Sequence, residues 1–426
     1  ADRPPFRIFD SSPVSTANSA LAGSNPTSRD LVLYLSARFC SNVATQIQTV
    51  AVGWQVYNLT RDPFALGFVG LAQFLPMVVL VLPAGDLADR VDRRLMLIGT
   101  CLLAGFAAGL LLIFSLLGVQ AVWPFYVAAA LYGAAVGLQG PAVQSFLPFL
   151  VASEDLPRAI AWGSSVAQTA SILGPALGGL LYVLGAPVTY SVVLALLFVA
   201  GAGLARVRIR RQIKKSETQL TAFRRVTEGL RYVWSKPMLV GAITLDLFAV
   251  LFGGTTALLP IFARDILHIG PMGLGALRSA PAIGAVVTAA VLARWQLQRH
   301  LGHRMYYAVA GFGISAVVFG LSQNFWLSLV ALAVLGISDQ VSVVIRNSLV
   351  QIATPDHMRG RVSAVHMLFV GTSNQLGEFR AGVSAGLFGT VPAAVLGGVG
   401  TLVIAAIWLP TFPALRKIDR FSDIAT

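Results

Sequence analysis

Apolar stretches of roughly 20 residues recur along this chain from Leu31 to Pro413, each separated from the next by a short polar break. A stretch of that length, wound as a helix, crosses about 30 Å of hydrocarbon. A buried soluble core accounts for one or two such runs; about twelve of them call for a membrane as the solvent. Composition agrees. The chain has 426 residues, of which 56% are hydrophobic and only 12% charged, with a mean hydropathy of +0.75. Soluble domains are about 45–50% apolar and about 25% charged. The spans read as 30–57, 63–84, 95–118, 122–148, 158–184 and 187–206, then 237–263, 272–294, 305–322, 326–352, 362–388 and 391–413. The expected fold is an all-α integral membrane protein of twelve transmembrane helices.

A net charge of +13 raises the question of nucleic acid, which the placement of the charge answers. Arg90, Arg93, Arg94, Arg158, Arg294, Arg299, Arg304, Arg359 and Arg361 fall in alternate loops. The central segment adds Arg206 to Lys236, and the other set of loops carries only Arg61 and Arg264. This is the positive-inside asymmetry, and it predicts both termini in the cytoplasm. The charge reports topology and attraction to membrane lipid, with no nucleic-acid partner implied. Cys40 and Cys101 lie inside apolar runs, which gives neither a disulfide framework nor a metal site. Residues 1–29 lack a separate apolar core, so they read as a flexible cytoplasmic tail without a cleaved signal.

The single large polar insertion, 207–236, splits the chain into a first six-span bundle over 30–206 and a second over 237–413, followed by a cytoplasmic tail at 414–426. Within the insertion Leu220, Phe223, Val226, Leu230 and Val233 recur at helical spacing among Arg224, Arg225 and Arg231. That pattern predicts a basic amphipathic helix lying on the cytoplasmic leaflet, a plain linker being the alternative. Three matches between the halves occur in the same order at a displacement of about 200 residues. Gly70-x-x-Gln73-x-x-Pro76 answers to Gly275-x-x-Arg278-x-x-Pro281, and Ala152/Asp155/Arg158 to Ala353/Asp356/Arg359. The third pair is Gly174 to Gly179 with Gly377 to Gly382. A duplication follows, with a midplane site expected where the repeats meet.

Residues 85–98 form a charge cluster between two apolar runs, so they must turn at a membrane surface. Gly85, Leu87, Ala88, Asp89, Arg90, Arg93 and Arg94 resemble the loop between helices 2 and 3 of the major facilitator superfamily, with Asp92 where that family usually has glycine. The resemblance implies two pseudo-symmetric six-helix bundles and secondary transport by alternating access. It also implies a conformational latch: Gly85 permits a tight exit from span 2, and Asp89 faces the N-terminus of span 11. Arg93 and Arg94 are then expected to reach acids such as Glu154 and Asp155. A solvated turn obeying the charge rule is the alternative. Gly174, Pro175, Gly178 and Gly179 in span 5 resemble the motif of the superfamily's drug–proton antiporters, with Ala170 where a glycine is expected. Ordinary close packing is the alternative there.

Charges within apolar runs are functional candidates because each is costly unless paired or hydrated. They are Arg38, Asp246, Arg278, Asp339, Arg346, Glu378 and Arg380. An Arg38–Asp246 contact across the cavity between spans 1 and 7 is expected. Asp246, Asp339 and Glu378 are the proton-coupling candidates, with static ion pairs as the alternative reading. Arg38, Gln46, Gln48, Trp54, Gln55, Gln139, Gln144 and Arg346 are candidates for lining a polar substrate cavity. No nucleotide-binding, zinc-hydrolase or serine-hydrolase signature is present, so no enzyme activity, cofactor or metal is expected.

Three further stretches resemble the enterobactin-exporter and macrolide-efflux group. They are Ala37-Arg38-Phe39, Gly229-Leu230-Arg231-Tyr232-Val233 and Thr354-Pro355-x-x-x-Arg359-Gly360-Arg361-Val362-x-Ala364. Membership implies a monomeric, proton-coupled antiporter of a bacterial inner membrane that exports a siderophore or drug-like small molecule. Import on the same fold, and a non-transporting receptor or scaffold, remain the alternatives.

Overall fold

The computed structural model describes residues 29–208, 222–295 and 299–424, and all regular structure among them is helical. The expected tail at 1–28 and Leu220 lie outside the described residues. Spans 1 to 6 are the helices Arg29–Thr60, Pro63–Arg90, Arg93–Leu116, Trp123–Phe146, Leu156–Val183 and Ala186–Arg206. A link helix, Ala222–Trp234, precedes span 7, which starts as Pro237–Gly253. Spans 8 to 12 are Gly270–Arg294, Leu301–Leu321, Phe325–Ile352, Asp356–Phe388 and Thr390–Thr411.

Ten helices among the described residues are long and apolar enough to cross a membrane. Spans 1 and 11, of 32 and 33 residues, are not among the ten. Their composition explains this: span 1 carries Arg38, Gln46, Gln48 and Gln55, and span 11 carries Asn374, Gln375, Glu378 and Arg380. Both are packed between more apolar helices, span 1 against spans 5 and 6, span 11 against spans 2 and 7.

The repeat is visible in which helix touches which. In the first half spans 2–4, 3–4, 1–5, 1–6 and 3–6 are neighbours; in the second, 8–10, 9–10, 7–11, 7–12 and 9–12. Spans 5 and 8 join the halves on one side, and spans 2 and 11 on the other. The same turn also recurs: Gly185 before span 6 has φ +108° and Gly389 before span 12 has φ +89°, where a side chain would be strained.

Local sequence sets most helix starts. Asp62, Asp92 and Asn324 cap spans 2, 3 and 10 by accepting backbone N–H bonds from Phe64, Arg94 and Trp326. Two expectations change here. Gly85 is not a tight exit, because span 2 continues as helix to Arg90 and the chain turns at Val91–Asp92. Asp92, the departure from the family glycine, is used as the cap. Span 11 starts at Asp356, six residues before the expected 362. Its first turns are charged, which reads as loop in sequence, but Pro355 is a helix stop and nothing after it breaks the helix.

The link helix also differs from expectation. Val226, Leu230 and Tyr232 pack with buried Val233 on span 7, span 10 and span 11 residues, among them Leu239, Ile243, Val350, Val362 and Val365. Its apolar face is therefore spent on protein and not on the lipid surface. Tyr232 donates to the carbonyl of Ala353 at 2.7 Å, and Arg361 pairs with Glu228 at 2.7 Å.

One buried apolar cluster joins both halves at the end formed by Val50–Tyr57, Leu258–Ala263 and the starts of spans 2, 4, 8 and 10. At the other end, which bears the basic loops, the clusters are separate. One holds only first-half residues from Leu31 to Val207, and two more belong to the second half and the link helix. The halves are thus welded at the far end and, among the described residues, share no buried core at the basic end.

Candidate functional site

Between the halves lies a cavity lined by Thr45, Gln48 and Thr49 of span 1, Gln73 of span 2 and Tyr132 of span 4. From the other side come Ala257 and Pro260 of span 7, Arg278 of span 8 and Glu378 of span 11. The Arg278 and Glu378 charges, both on this second-half side, act on each other. Gln73 and Arg278 are the repeat-related positions of the first sequence match, so the duplication delivers one polar group from each half to the same space. Arg278 is among the intraspan charges expected to be functional, whereas Gln73 is not among the expected site residues. The signal that could have found it was that match.

Span 7 is broken beside this cavity. Its α-helix ends at Gly253, continues as a 3-10 turn over Thr255–Leu258, and closes in a π-helical turn over Phe262–Ile266. A Cβ on Gly254 would fall 2.9 Å from the Gly377 carbonyl of span 11, so only glycine fits the break. Arg380 donates to the exposed carbonyl of Phe252 at 2.5 Å, satisfying the helix end. Arg380 is accordingly not the partner of Glu378. Interrupted helices are where transporters of this kind place binding sites.

The expected Arg38–Asp246 contact is not formed. Asp246 accepts from the Arg346 guanidinium, and both are buried, 6% and 3% exposed. With Asp339 and the hydroxyl-bearing Ser338 and Ser342, Asp246 lines a small void inside the second half, closed by Phe312. Arg38 instead lies in the first half, where its charge acts on Tyr34, Cys101 and Tyr132. Side-chain length decides this: Arg346 reaches Asp246 within its own bundle, leaving nothing for span 1.

Of the expected cavity residues, Gln48 lines the cavity. Gln46 packs on Gly174 of span 5. Gln55 accepts from Tyr190 at 2.8 Å and donates to Ser115 at 3.3 Å, tying spans 1, 3 and 6. Trp54 lies under Arg264 at the far end, 5.9 Å from guanidinium to ring. Gln139 is half-buried on span 4 away from the cavity lining, and the Gln144 side chain lies outside the described set. Arg346 is in the buried pair.

The far end is closed by charge as well as by apolar packing. Tyr57 donates to one oxygen of Asp265, and Arg61 to the other at 3.2 Å. This ties the end of span 1 to the π-turn of span 7. At the basic end, Arg94 donates to the Ala205 carbonyl that closes span 6, and does not reach Glu154 or Asp155. Arg93 stacks on Phe149 at 4.4 Å. The Asp89 and Arg90 side chains lie outside the described set. Span 5 meets span 8 backbone to backbone: a Cβ on Gly179 would lie 2.5 Å from the Pro271 carbonyl oxygen, and one on Gly275 2.5 Å from that of Pro175. Pro175 and Gly179 pack closely between the halves, while Gly174 and Gly178 pack on span 1 within the first half.

Comparison with known proteins agrees with this architecture. The family profile described as transmembrane secretion effector matches residues 26–425. The enterobactin exporter EntS of Shigella boydii serotype 18 is 25% identical over 411 residues, 95% of this chain and 96% of its own length. EntS of Citrobacter koseri is 25% identical over 419 residues, again covering 95% of this chain and 96% of its own. Among solved structures, a bacterial homologue of the lysosomal transporter Spinster, inward-facing and unoccupied, superposes with a TM-score of 0.73 at 13% identity. It covers 93% of this chain and all of that one. An inward-facing bacterial homologue of the iron transporter ferroportin gives 0.68 at 16% identity, covering 89% and 98%. A polar cavity between two repeated halves of a multi-pass membrane protein, with a match along its whole length, leaves one assignment: the chain belongs to the transmembrane secretion effector family of the major facilitator superfamily and is a secondary transporter.

Proposed function

We propose that this protein is a proton-coupled antiporter of a bacterial inner membrane that exports a siderophore of the enterobactin kind or a similar drug-like amphiphile. The observation that carries the reading is the polar cavity between halves that, among the described residues, are joined by buried core at one end only. Taken with the positive-inside rule, the separated end faces the cytoplasm. A solute enters there, and rocking of the halves exposes it on the far side. Glu378 is the coupling acid in this reading. Of the three candidates it alone lines the solute cavity, where Arg278 opposes it, so solute and proton compete for one charged pair. Asp246 and Asp339 then serve the second half as a buried charge cluster.

Inside-out vesicles test this directly. With an acidified lumen, they should accumulate enterobactin or a substitute siderophore, and Glu378→Gln should abolish the pH-driven component while solute counterflow persists. Accumulation only with an acid exterior would reverse the direction. Unchanged proton drive in the variant would remove Glu378 from the mechanism.

A further inference from the structure

Spans 1 and 5 touch closely at mid-depth and diverge toward the basic end. A Cβ on Gly174 would fall 2.4 Å from the Gln46 Cβ, and one on Gly178 3.0 Å from the Ile47 Cα. Further down, glycine gives way to Leu35 and Phe39 facing Trp162 and Val166, and the helices stand apart around a cleft of about 350 Å³. The walls are apolar. Trp162 and Val32, about half exposed at 52% and 50%, flank its mouth. Trp162 stands at the depth where membrane proteins gather tryptophan, beside the headgroups.

Two charges line the same mouth. Asp155 is the N-cap residue of span 5, yet its side chain makes no capping bond. Arg158 follows one turn later and is exposed. They form no ion pair with each other, and neither side chain has a hydrogen-bond partner among the described residues. A capping aspartate normally spends its carboxylate on its own helix; this one is left for something else.

We infer that this cleft is a binding site for an amine-bearing zwitterionic phospholipid, one acyl chain between spans 1 and 5, its phosphate at Arg158 and its ammonium at Asp155. An apolar slot open at the headgroup level fits an acyl chain. Two unpaired charges of opposite sign, a helical turn apart, fit a headgroup that carries both signs. An amphiphile of one sign would leave one charge unanswered. A quaternary ammonium cannot donate a hydrogen bond to Asp155, which separates ethanolamine from choline headgroups. The cleft is separate from the central cavity, so the assignment does not depend on the solute or the direction of transport.

Tail-brominated lipids quench tryptophan on contact and test the site in the full-length protein in proteoliposomes. Bilayers containing brominated phosphatidylethanolamine or brominated phosphatidylcholine at equal mole fraction are compared. The emission that disappears in Trp162→Phe isolates the cleft from the other tryptophans. The ethanolamine lipid should occupy the cleft about two- to fivefold more than the choline lipid, the size of one exposed charge-assisted hydrogen bond. Asp155→Asn should equalise the two lipids, and Arg158→Gln should weaken both alike. Both side chains are without partners among the described residues, so these variants leave the fold intact. Equal quenching by the two lipids in the unaltered protein would overturn the inference, leaving ordinary annular contact. A preference that survives Asp155→Asn would overturn it as well.

Discussion

Asp246 and Arg346 illustrate what a buried charge does in this molecule. Both are almost fully buried, so removing one leaves the other without its hydrogen-bonded partner and with Asp339 beside it. Breaking such a pair costs about 3–5 kcal/mol, whereas replacing both with neutral groups of similar volume is often neutral. Asp246→Asn should therefore lower thermal stability in detergent sharply, and Asp246→Asn with Arg346→Met should recover most of it; equal losses in the single and double variants would refute the pairing. Asp265 acts at the far end through solvent-accessible bonds, so its effect is smaller. Asp265→Asn frees Tyr57 and Arg61 and should bias the far end toward opening by about 1–2 kcal/mol, after allowance for screening. A cysteine placed at Thr49, with Cys40 and Cys101 replaced, should then react faster with an impermeant maleimide from that side. A third group titrates. The backbone N–H of His300 donates to Asp419 at 2.8 Å and holds its carboxyl below the ordinary aspartate range, with the nearby His300, Arg420 and Arg299 charges assisting. A depressed carboxyl contributes above its unfolded value and loses that contribution as pH falls through its folded value. The C-terminal segment that Asp419 pins beneath span 9, with Leu415 and Ile418 buried, should become protease-sensitive only below about pH 4. Release near neutral pH would contradict this.

At the scale of elements, Gly179 of span 5 sets the distance between the halves. Gly179→Val places carbon where the Pro271 carbonyl now lies, and backbone cannot yield as a flexible side chain would. The variant should reach the membrane but lose transport, and cysteines across spans 5 and 8 should cross-link less; full activity would show the contact to be dispensable. This element was legible in sequence because small residues at helical spacing mean close approach whatever the partner. The partner was not legible, since the glycines of span 5 meet span 1 on one face and span 8 on another. The link helix shows the same limit. Its amphipathic period is in the sequence, but period alone does not tell protein from lipid as the apolar neighbour. Gly229 decides it: a Cβ there would fall 2.5 Å from the Arg361 carbonyl of span 11. The sequence signals for the break in span 7 are Gly253-Gly254 and Pro260, which has no N–H to give to the preceding turn. The break exists because span 11 passes too close for a continuous helix.

For the whole molecule, the duplication organises both fold and site. Each half repeats the other's neighbours, and the halves meet along spans 5–8 and 2–11, so the lined cavity sits near the pseudo-symmetry axis. One consequence separates the two ends. A buried apolar cluster shared by both halves resists opening of the far end, while the basic end has no shared core to break among the described residues. In the resting protein, the Thr49 cysteine described above should be labelled from the basic side and protected from the far side.

By itself the sequence determined that the chain lies in a membrane, that it is helical, and that it is built twice. These follow from length, hydropathy and repetition, which are properties of segments and survive without knowledge of what the segments touch. It also marked which charges are expensive. Which charges meet was decided by tertiary structure alone. Arg346 reaches Asp246 and Arg278 faces Glu378, each pair within the second bundle, and Arg38 finds neither acid. A buried charge takes whichever opposite partner packing brings within a side chain's length, and packing is fixed by contacts between helices hundreds of residues apart.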